Sequence, residues 1–311
     1  MRVFVTGASG WIGQPTVTEL VGAGHEVVGL ARSDASAAKV EAAGGAVLRG
    51  DLTAPDVLRA AATEADAVVH LAFQHEVAFV QGDFAAAARD DRAAIETMGD
   101  ALVGTDKAFV IASGTGAVAP GRVVTEDDGR GTPDPRLPDG MRLRGESAEY
   151  TLGLADRGVR SVVLRLAPTN HGDGDNGFMK QLVEVARAKG VSAYVGDGAN
   201  RWAAGHRLDT ATLACLAVES APAGSVLHAI TEEGVEIGAV AEVIGRHLGV
   251  PVESITPEQA MEHFGFLGMM VGLDIPASSA ITRELTGWQP THPGLIEDLE
   301  ADFYYREPAA A

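Results

Sequence analysis

Three glycines at three-residue spacing, Gly7, Gly10 and Gly13, stand directly after the apolar run Val3-Phe4-Val5. Glycine has no Cβ, so a pyrophosphate can approach such a turn closely. The helix that follows offers free N–H groups and the positive end of its dipole to that anion. The stretch Thr6-Gly7-Ala8-Ser9-Gly10-Trp11-Ile12-Gly13 is therefore read as a dinucleotide-binding turn, with Thr6, Gly7, Ser9, Gly10, Trp11, Ile12 and Gly13 against the cofactor. Where such a site favours NAD, an acidic residue at the end of the second strand holds the ribose 2′-OH. Here that strand ends Leu30-Ala31-Arg32-Ser33. Arg32 is suited to fork onto a 2′-phosphate and Ser33 to add a hydrogen bond, so NADP(H) is expected in preference to NAD. Asp34 dissents, as a cap of the next helix or a displaced ribose ligand. Asp51, beside Leu52, is placed to accept from an adenine amino group or to cap a helix. Leu71, Ala72 and Phe73, which follow His70, carry the backbone past the cofactor phosphates and ribose, and Pro168 is counted with the cofactor residues.

The elements that must position these groups alternate. Strands are read at residues 27–31, 46–49, 67–71, 108–112 and 161–166, with helices at 35–43, 55–63, 84–103 and 146–157 between them. The strands are apolar and β-branched, as a sheet covered on both faces requires. The recurring βαβ order predicts an α/β fold, a Rossmann-like doubly wound parallel sheet. Residues 119–142, rich in Pro, Gly, Asp and Arg, read as a long surface loop near the cleft. Two units are expected: a cofactor domain over residues 1–170, and a smaller C-terminal substrate lobe over 171–311 whose chain crosses back to the sheet. The 311 residues carry a net charge of −19. That charge disfavours nucleic acid or an anionic membrane as a partner. Cys215 is the only cysteine, which excludes an internal disulfide, and its apolar helical surroundings suggest a core position. With no apolar run of membrane-span length and no leader pattern, a cytoplasmic protein is expected, and no metal.

The chain resembles the extended short-chain dehydrogenase/reductases, the NAD(P)-dependent epimerase/dehydratase superfamily, over nearly its whole length. The resemblance rests on the glycine turn, Gly50-Asp51-Leu52, His70-Leu71-Ala72, Ile111-Ala112-Ser113, Leu164-Arg165, Gly196-Asp197-Gly198 and Leu285-Thr286-Gly287-Trp288-Gln289-Pro290. It implies a Tyr and a Lys four residues apart on one helix, with a Ser or Thr after strand five. The Lys charge lowers the phenol pKa so that the Tyr exchanges the proton accompanying hydride transfer. Counting back from Leu164-Arg165, the pair falls at Gly140 and Arg144, so neither member is present. Tyr150 is the nearby phenol, with Leu154 four residues on.

Three replacements follow. Tyr150 acts from a shifted register with Arg144 stabilising an oxyanion; or a histidine, His75, His171 or His206, supplies the acid; or no proton is transferred. Ser113 is the favoured hydroxyl, with Thr115 second. Sugar-nucleotide members of the family carry a phosphate-clamping arginine where this chain has Trp202, with Arg201 one place earlier. Trp202 and Phe178, with Phe73, Phe79 and Met179, are read as walls of an apolar pocket. The resemblance thus implies an NADP(H)-dependent oxidoreductase reducing a small, mostly apolar carbonyl compound. The alternatives are a nucleotide-sugar epimerase or dehydratase, or a non-catalytic NADP(H) sensor. A homodimer through the helices at 84–103 and 146–157 is also expected.

Overall fold

The computed structural model describes residues 1–116 and 118–306. From the amino terminus the elements are β1 (Arg2–Thr6), α1 (Gly13–Gly22), β2 (Glu26–Ala31), α2 (Asp34–Ala42), β3 (Ala46–Arg49), α3 (Pro55–Glu64), β4 (Ala67–His70), α4 (Phe84–Leu102), β5 (Ala108–Gly114), α5 (Asp139–Gly153) and β6 (Arg160–Leu166). There follow β7 (Thr169–His171), α6 (Phe178–Lys189), β8 (Ser192–Val195), β9 (Arg201–His206), α7 (Arg207–Ser220), β10 (Ser225–Ala229), β11 (Glu232–Glu236), α8 (Ile237–Leu248), β12 (Val252–Ile255), α9 (Pro257–Phe264), α10 (Ala280–Thr286) and α11 (Leu295–Leu299).

Seven of the strands form one parallel sheet in the order β10-β6-β5-β4-β1-β2-β3. Alternation along each strand decides which core a side chain enters. Val3 and Val5 of β1 pack with Val17, Leu20, Val40 and Leu213, beneath α1, α2 and α7. Phe4, between them, turns to the other face, among Leu58 of α3, Ile95 of α4 and Ala148 of α5. Helices thus cover both faces, the doubly wound Rossmann-like arrangement expected of the sequence. The C-terminal third forms a second core, in which α6, α8, α9 and α11 pack around two small sheets, β11-β9-β7 and β12-β8. Within that third, α7 and β10 return to the main sheet, and Cys215 of α7 lies in its core.

One element starts earlier than its composition suggests. The helix read from residue 146 begins at Asp139, right after Pro138, and closes at Gly153, with a separate single turn at Ala155–Arg157. Its first turn is tolerated in a Gly- and Arg-rich stretch because Gly140 sits where a Cβ would lie 2.3 Å from the Phe84 ring. Gly140 and Arg144 are therefore both helical, one turn apart, at the mouth of the sheet.

Candidate active site

At the head of the cleft the backbone of the glycine turn is forced. Gly7 has φ +68°, and a Cβ there would lie 2.6 Å from the Ala72 nitrogen. A Cβ on Gly13 would lie 1.9 Å from the Gly7 oxygen. The turn closes with the Gly10 N–H donating to the Gly7 carbonyl at 2.8 Å. Helix α1 then opens with no side-chain cap and no acid in its first turn, so its N-terminal field remains available to an anion. Trp11 donates its indole N–H to the Asn170 carbonyl at 3.1 Å. The Arg207 guanidinium stacks 3.9 Å from the Trp11 ring centre, bringing a cation beside the turn. These groups fit the pyrophosphate of a dinucleotide; the sequence reading missed Arg207, which lies some two hundred residues away along the chain.

Beside the turn, where an adenosine ribose would lie, Ser33 caps α2 and accepts from the Ser36 N–H at 3.2 Å. Asp34 is taken up by Arg49. Arg32 is exposed, with the nearest acid, Glu76, 4.0 Å away. Asp51 accepts from the Thr53 N–H at 2.8 Å and its hydroxyl at 2.7 Å. Those bonds to Thr53 hold its carboxyl below the ordinary value. Helix α3 starts at Pro55 without a side-chain cap, so Asp51 is not a helix cap. Leu52 is half-buried beside it. Leu71 and Ala72 close over Gly7, and Pro168 lies against Gly116.

At the ends of β4 and β5 the side chains form a connected series. The Thr6 hydroxyl lies 2.7 Å from His70 Nδ1, and His70 Nε2 lies 3.1 Å from Asp91 Oδ1. Asp91 Oδ2 accepts from Arg144 Nη1 at 2.6 Å, and Arg144 Nη2 donates to the Ala112 carbonyl at 2.8 Å. Burial alone would raise the Asp91 carboxyl, but the Arg144 charge and the His70 bond outweigh it and hold its pKa below the ordinary value. The guanidinium lies 5.0 Å from the Phe73 ring centre, at the position where the resemblance expects the lysine, and the Ala112 carbonyl that it holds immediately precedes the half-buried Ser113. Thr115 instead turns inward, 3% exposed, with its hydroxyl 3.5 Å from the Leu166 carbonyl. His70 and Asp91 were not named as functional by sequence. The usable signal was a histidine closing β4 and an acid on the buried face of α4.

Several expected site residues lie elsewhere. Tyr150 is near the C-terminal end of α5, at the opposite end of the sheet from the strand ends that carry the glycine turn. Its hydroxyl donates to Asp100 at 3.0 Å, and burial with the Asp100 charge raises its pKa to about 12. It neither contacts Arg144 nor faces the cleft, which removes the shifted-register Tyr/Arg pair. His171 is fully buried, with Nδ1 2.6 Å from Asp298. His206 caps α7 by accepting the Leu208 N–H at 3.2 Å and stacks on His292 at 4.7 Å. Trp202, fully buried, donates to the Leu273 carbonyl at 3.2 Å and meets Phe178 edge-on at 5.7 Å in the second core. Arg201 is held by Asp274 at 2.9 Å, so it does not supply the displaced phosphate clamp. His75 does stay at the cleft mouth, its ring 5.4 Å from Phe73. Desolvation, aided by the Arg144 charge, draws its pKa down.

Comparison with known proteins bears on the family and the fold. Residues 3–230 match the model of the NAD dependent epimerase/dehydratase family. An uncharacterised protein of Schizosaccharomyces pombe is 44% identical over 98% of this chain and 100% of its own length. A protein of Stigmatella aurantiaca, named as a 4-hydroxy-2-methyl-3-oxo-4-farnesyl-3,4-dihydroquinoline-1-oxide ketoreductase, is 27% identical over 86% of this chain and 80% of its own. Among solved structures, MoeE5 in complex with UDP-glucose and NAD superposes with a TM-score of 0.72 at 24% identity, covering 98% of both chains. That last likeness is one of fold.

Proposed function

The chain belongs to the NAD dependent epimerase/dehydratase family, and on that premise we propose that it is an NADP(H)-dependent oxidoreductase that reduces the carbonyl of a small, mostly apolar organic compound. The observation that carries this reading is the guanidinium of Arg144, fixed by Asp91 and by the carbonyl of Ala112, the residue before Ser113, at the position where the resemblance expects the lysine. When bound, a nicotinamide coenzyme supplies the hydride. The glycine turn, α1 and Arg207 hold its pyrophosphate, and Arg32 with Ser33 meets a 2′-phosphate. Ser113 and Arg144 hold the substrate oxygen and stabilise the negative charge that develops on it. A guanidinium does not exchange protons near neutral pH, so the proton that completes the alcohol comes from solvent at the cleft mouth. The ketoreductase relative supports this direction. Arg201, engaged by Asp274, counts against a nucleotide-sugar substrate.

The test is cofactor fluorescence followed by turnover. NADPH is expected to bind at least tenfold more tightly than NADH, and Arg32→Ala to erase most of that difference, since a hydrogen bond to a charged group contributes roughly 1.5–3 kcal/mol. NADPH is further expected to be oxidised with a subset of ketones or aldehydes in a broad panel. Equal affinity for the two cofactors overturns the NADP(H) assignment. Binding without turnover across the panel overturns the enzymatic one.

A further inference from the structure

Five rings run in series from Phe73, just after β4, to the smaller lobe. Phe73 lies 5.5 Å from Phe84 and 5.4 Å from His75. His75 and Phe84 each lie 5.8 Å from Phe79, and Phe79 meets Phe266 at 5.6 Å. Four come from the chain between β4 and α4 or from the first residue of α4. Phe266 comes from the single turn Gly265–Met269 in the other lobe. Phe79 sits in a π-helical turn, Glu76–Val80, a rare geometry concentrated at functional sites. Phe79 and Phe266 are left 42% and 45% exposed, although both are large and apolar. The series ends at Phe73, with Arg144 over its face and bonded to the Ala112 carbonyl, one residue before Ser113.

We propose that this series is the substrate-recognition wall and that the substrate is an aryl carbonyl compound. Its ring would extend the array by packing on the exposed sides of Phe79 and Phe266, which already meet each other, and its oxygen would be directed toward Arg144 and Ser113. The proposal rests on the reductase reading and names its substrate class. The physical reason lies in the geometry. The rings meet at interplanar angles of 29° to 78°, one stacked contact (His75 on Phe79) and the rest tilted or edge-on, arrangements that ring quadrupoles favour over a face-to-face sandwich. A further aromatic ring gains those contacts, whereas a saturated ring of equal size gains only buried area. A guanidinium over one end adds attraction for a π-face and for a polarised oxygen conjugated to it.

The experiment titrates acetophenone and its ring-saturated counterpart, cyclohexyl methyl ketone, into the NADPH-saturated full chain, and follows NADPH oxidation with both. Acetophenone is expected to bind about fivefold more tightly, the scale of one or two ring contacts beyond area. In the Phe79→Leu/Phe266→Leu double variant, which keeps apolar bulk, the ratio is expected to fall to about one. Its NADPH affinity and thermal midpoint are expected to stay at the wild-type values. Equal binding by the wild type, no binding of either ketone up to its solubility limit, or a preference kept in the double variant each overturns the inference. A preference without NADPH oxidation leaves the ring site standing and removes the reductase reading. Oxidation with both ketones at equal KM does the reverse.

Discussion

Arg144 and Asp91 show how one residue changes the chemistry open to a cleft. A lysine in that slot is a point charge on a flexible stem; an arginine is a planar fork that keeps its proton and fits two acceptors at once. Here one arm of the fork is on Asp91 and one on the Ala112 carbonyl, so the group is fixed rather than mobile. Asp91 is essentially unexposed. Removing it strands the guanidinium in a half-buried place, and Asp91→Ala is expected to cost roughly 3–5 kcal/mol in urea unfolding. Asp91→Asn keeps an acceptor and is expected to cost clearly less. Equal losses for the two would mean that the pair contributes shape and not charge. The opposite expectation holds for Tyr150. Its hydroxyl is bonded to Asp100 and its pKa is raised to about 12. Tyr150→Phe is expected to leave NADPH turnover unchanged and to cost about 1 kcal/mol of stability. Ser113→Ala is expected to lower kcat about a hundredfold, as removal of an oxyanion-holding donor does. A Tyr150→Phe enzyme as impaired as Ser113→Ala would return the phenol to the mechanism.

At the scale of elements, patterns that depend on near neighbours in sequence were legible, and those set by distant ones were not. The glycine turn, the apolar strands and the helices after them follow from steric rules that act within a few residues. Helix α5 was misplaced because its start carries Gly140 and two further non-apolar residues, Asp139 and Arg142, before Arg144. The space that makes that glycine useful is supplied by Phe84, from another helix. His171 and His206 were expected at the cleft because they follow strand six and the glycine loop, where the resemblance aims loops at the cleft; in the structure they close β7 and β9. They turn inward because Asp298 of α11, about 127 residues beyond His171, offers a carboxylate there. This inward turn has a pH consequence. Burial lowers the His206 pKa from its ordinary 6.5 to about 4. The unfolded chain therefore takes up this proton first as pH falls. The stabilising contribution is fully present above about pH 6.5 and is lost progressively between about 6.5 and 4, by at most roughly 3 kcal/mol. The thermal midpoint is expected to fall across that window, and His206→Gln to flatten the fall. A midpoint with the same pH dependence in both proteins would place the titrating group elsewhere.

At the scale of the whole molecule, the relay from Thr6 to Arg144 draws on β1, β4, α4 and α5, and the wall from Phe73 to Phe266 draws on both lobes. No local pattern announces either, because each exists only once the sheet order has brought distant segments together. The same sheet order lays α4 and α5 side by side, and their outer face is the surface on which a second copy is expected to pack. That face is polar: Arg92 and Arg142 both pair with Glu146, and Arg157 pairs with Asp100 and stands near Tyr150. Met141 is the large apolar side chain exposed on α5. Charged pairs already satisfied within one chain contribute little to holding two chains together, and an interface poor in apolar core belongs to the weaker class. The expected outcome is a concentration-dependent dimer. In sedimentation velocity the apparent mass is expected to rise toward twice the chain mass as protein is raised through the micromolar range. A charge reversal at Glu146, which breaks both arginine pairs, is expected to shift that rise without altering NADPH affinity. A single species at the chain mass throughout the range would show that α4 and α5 face solvent, and that the site is complete in one copy.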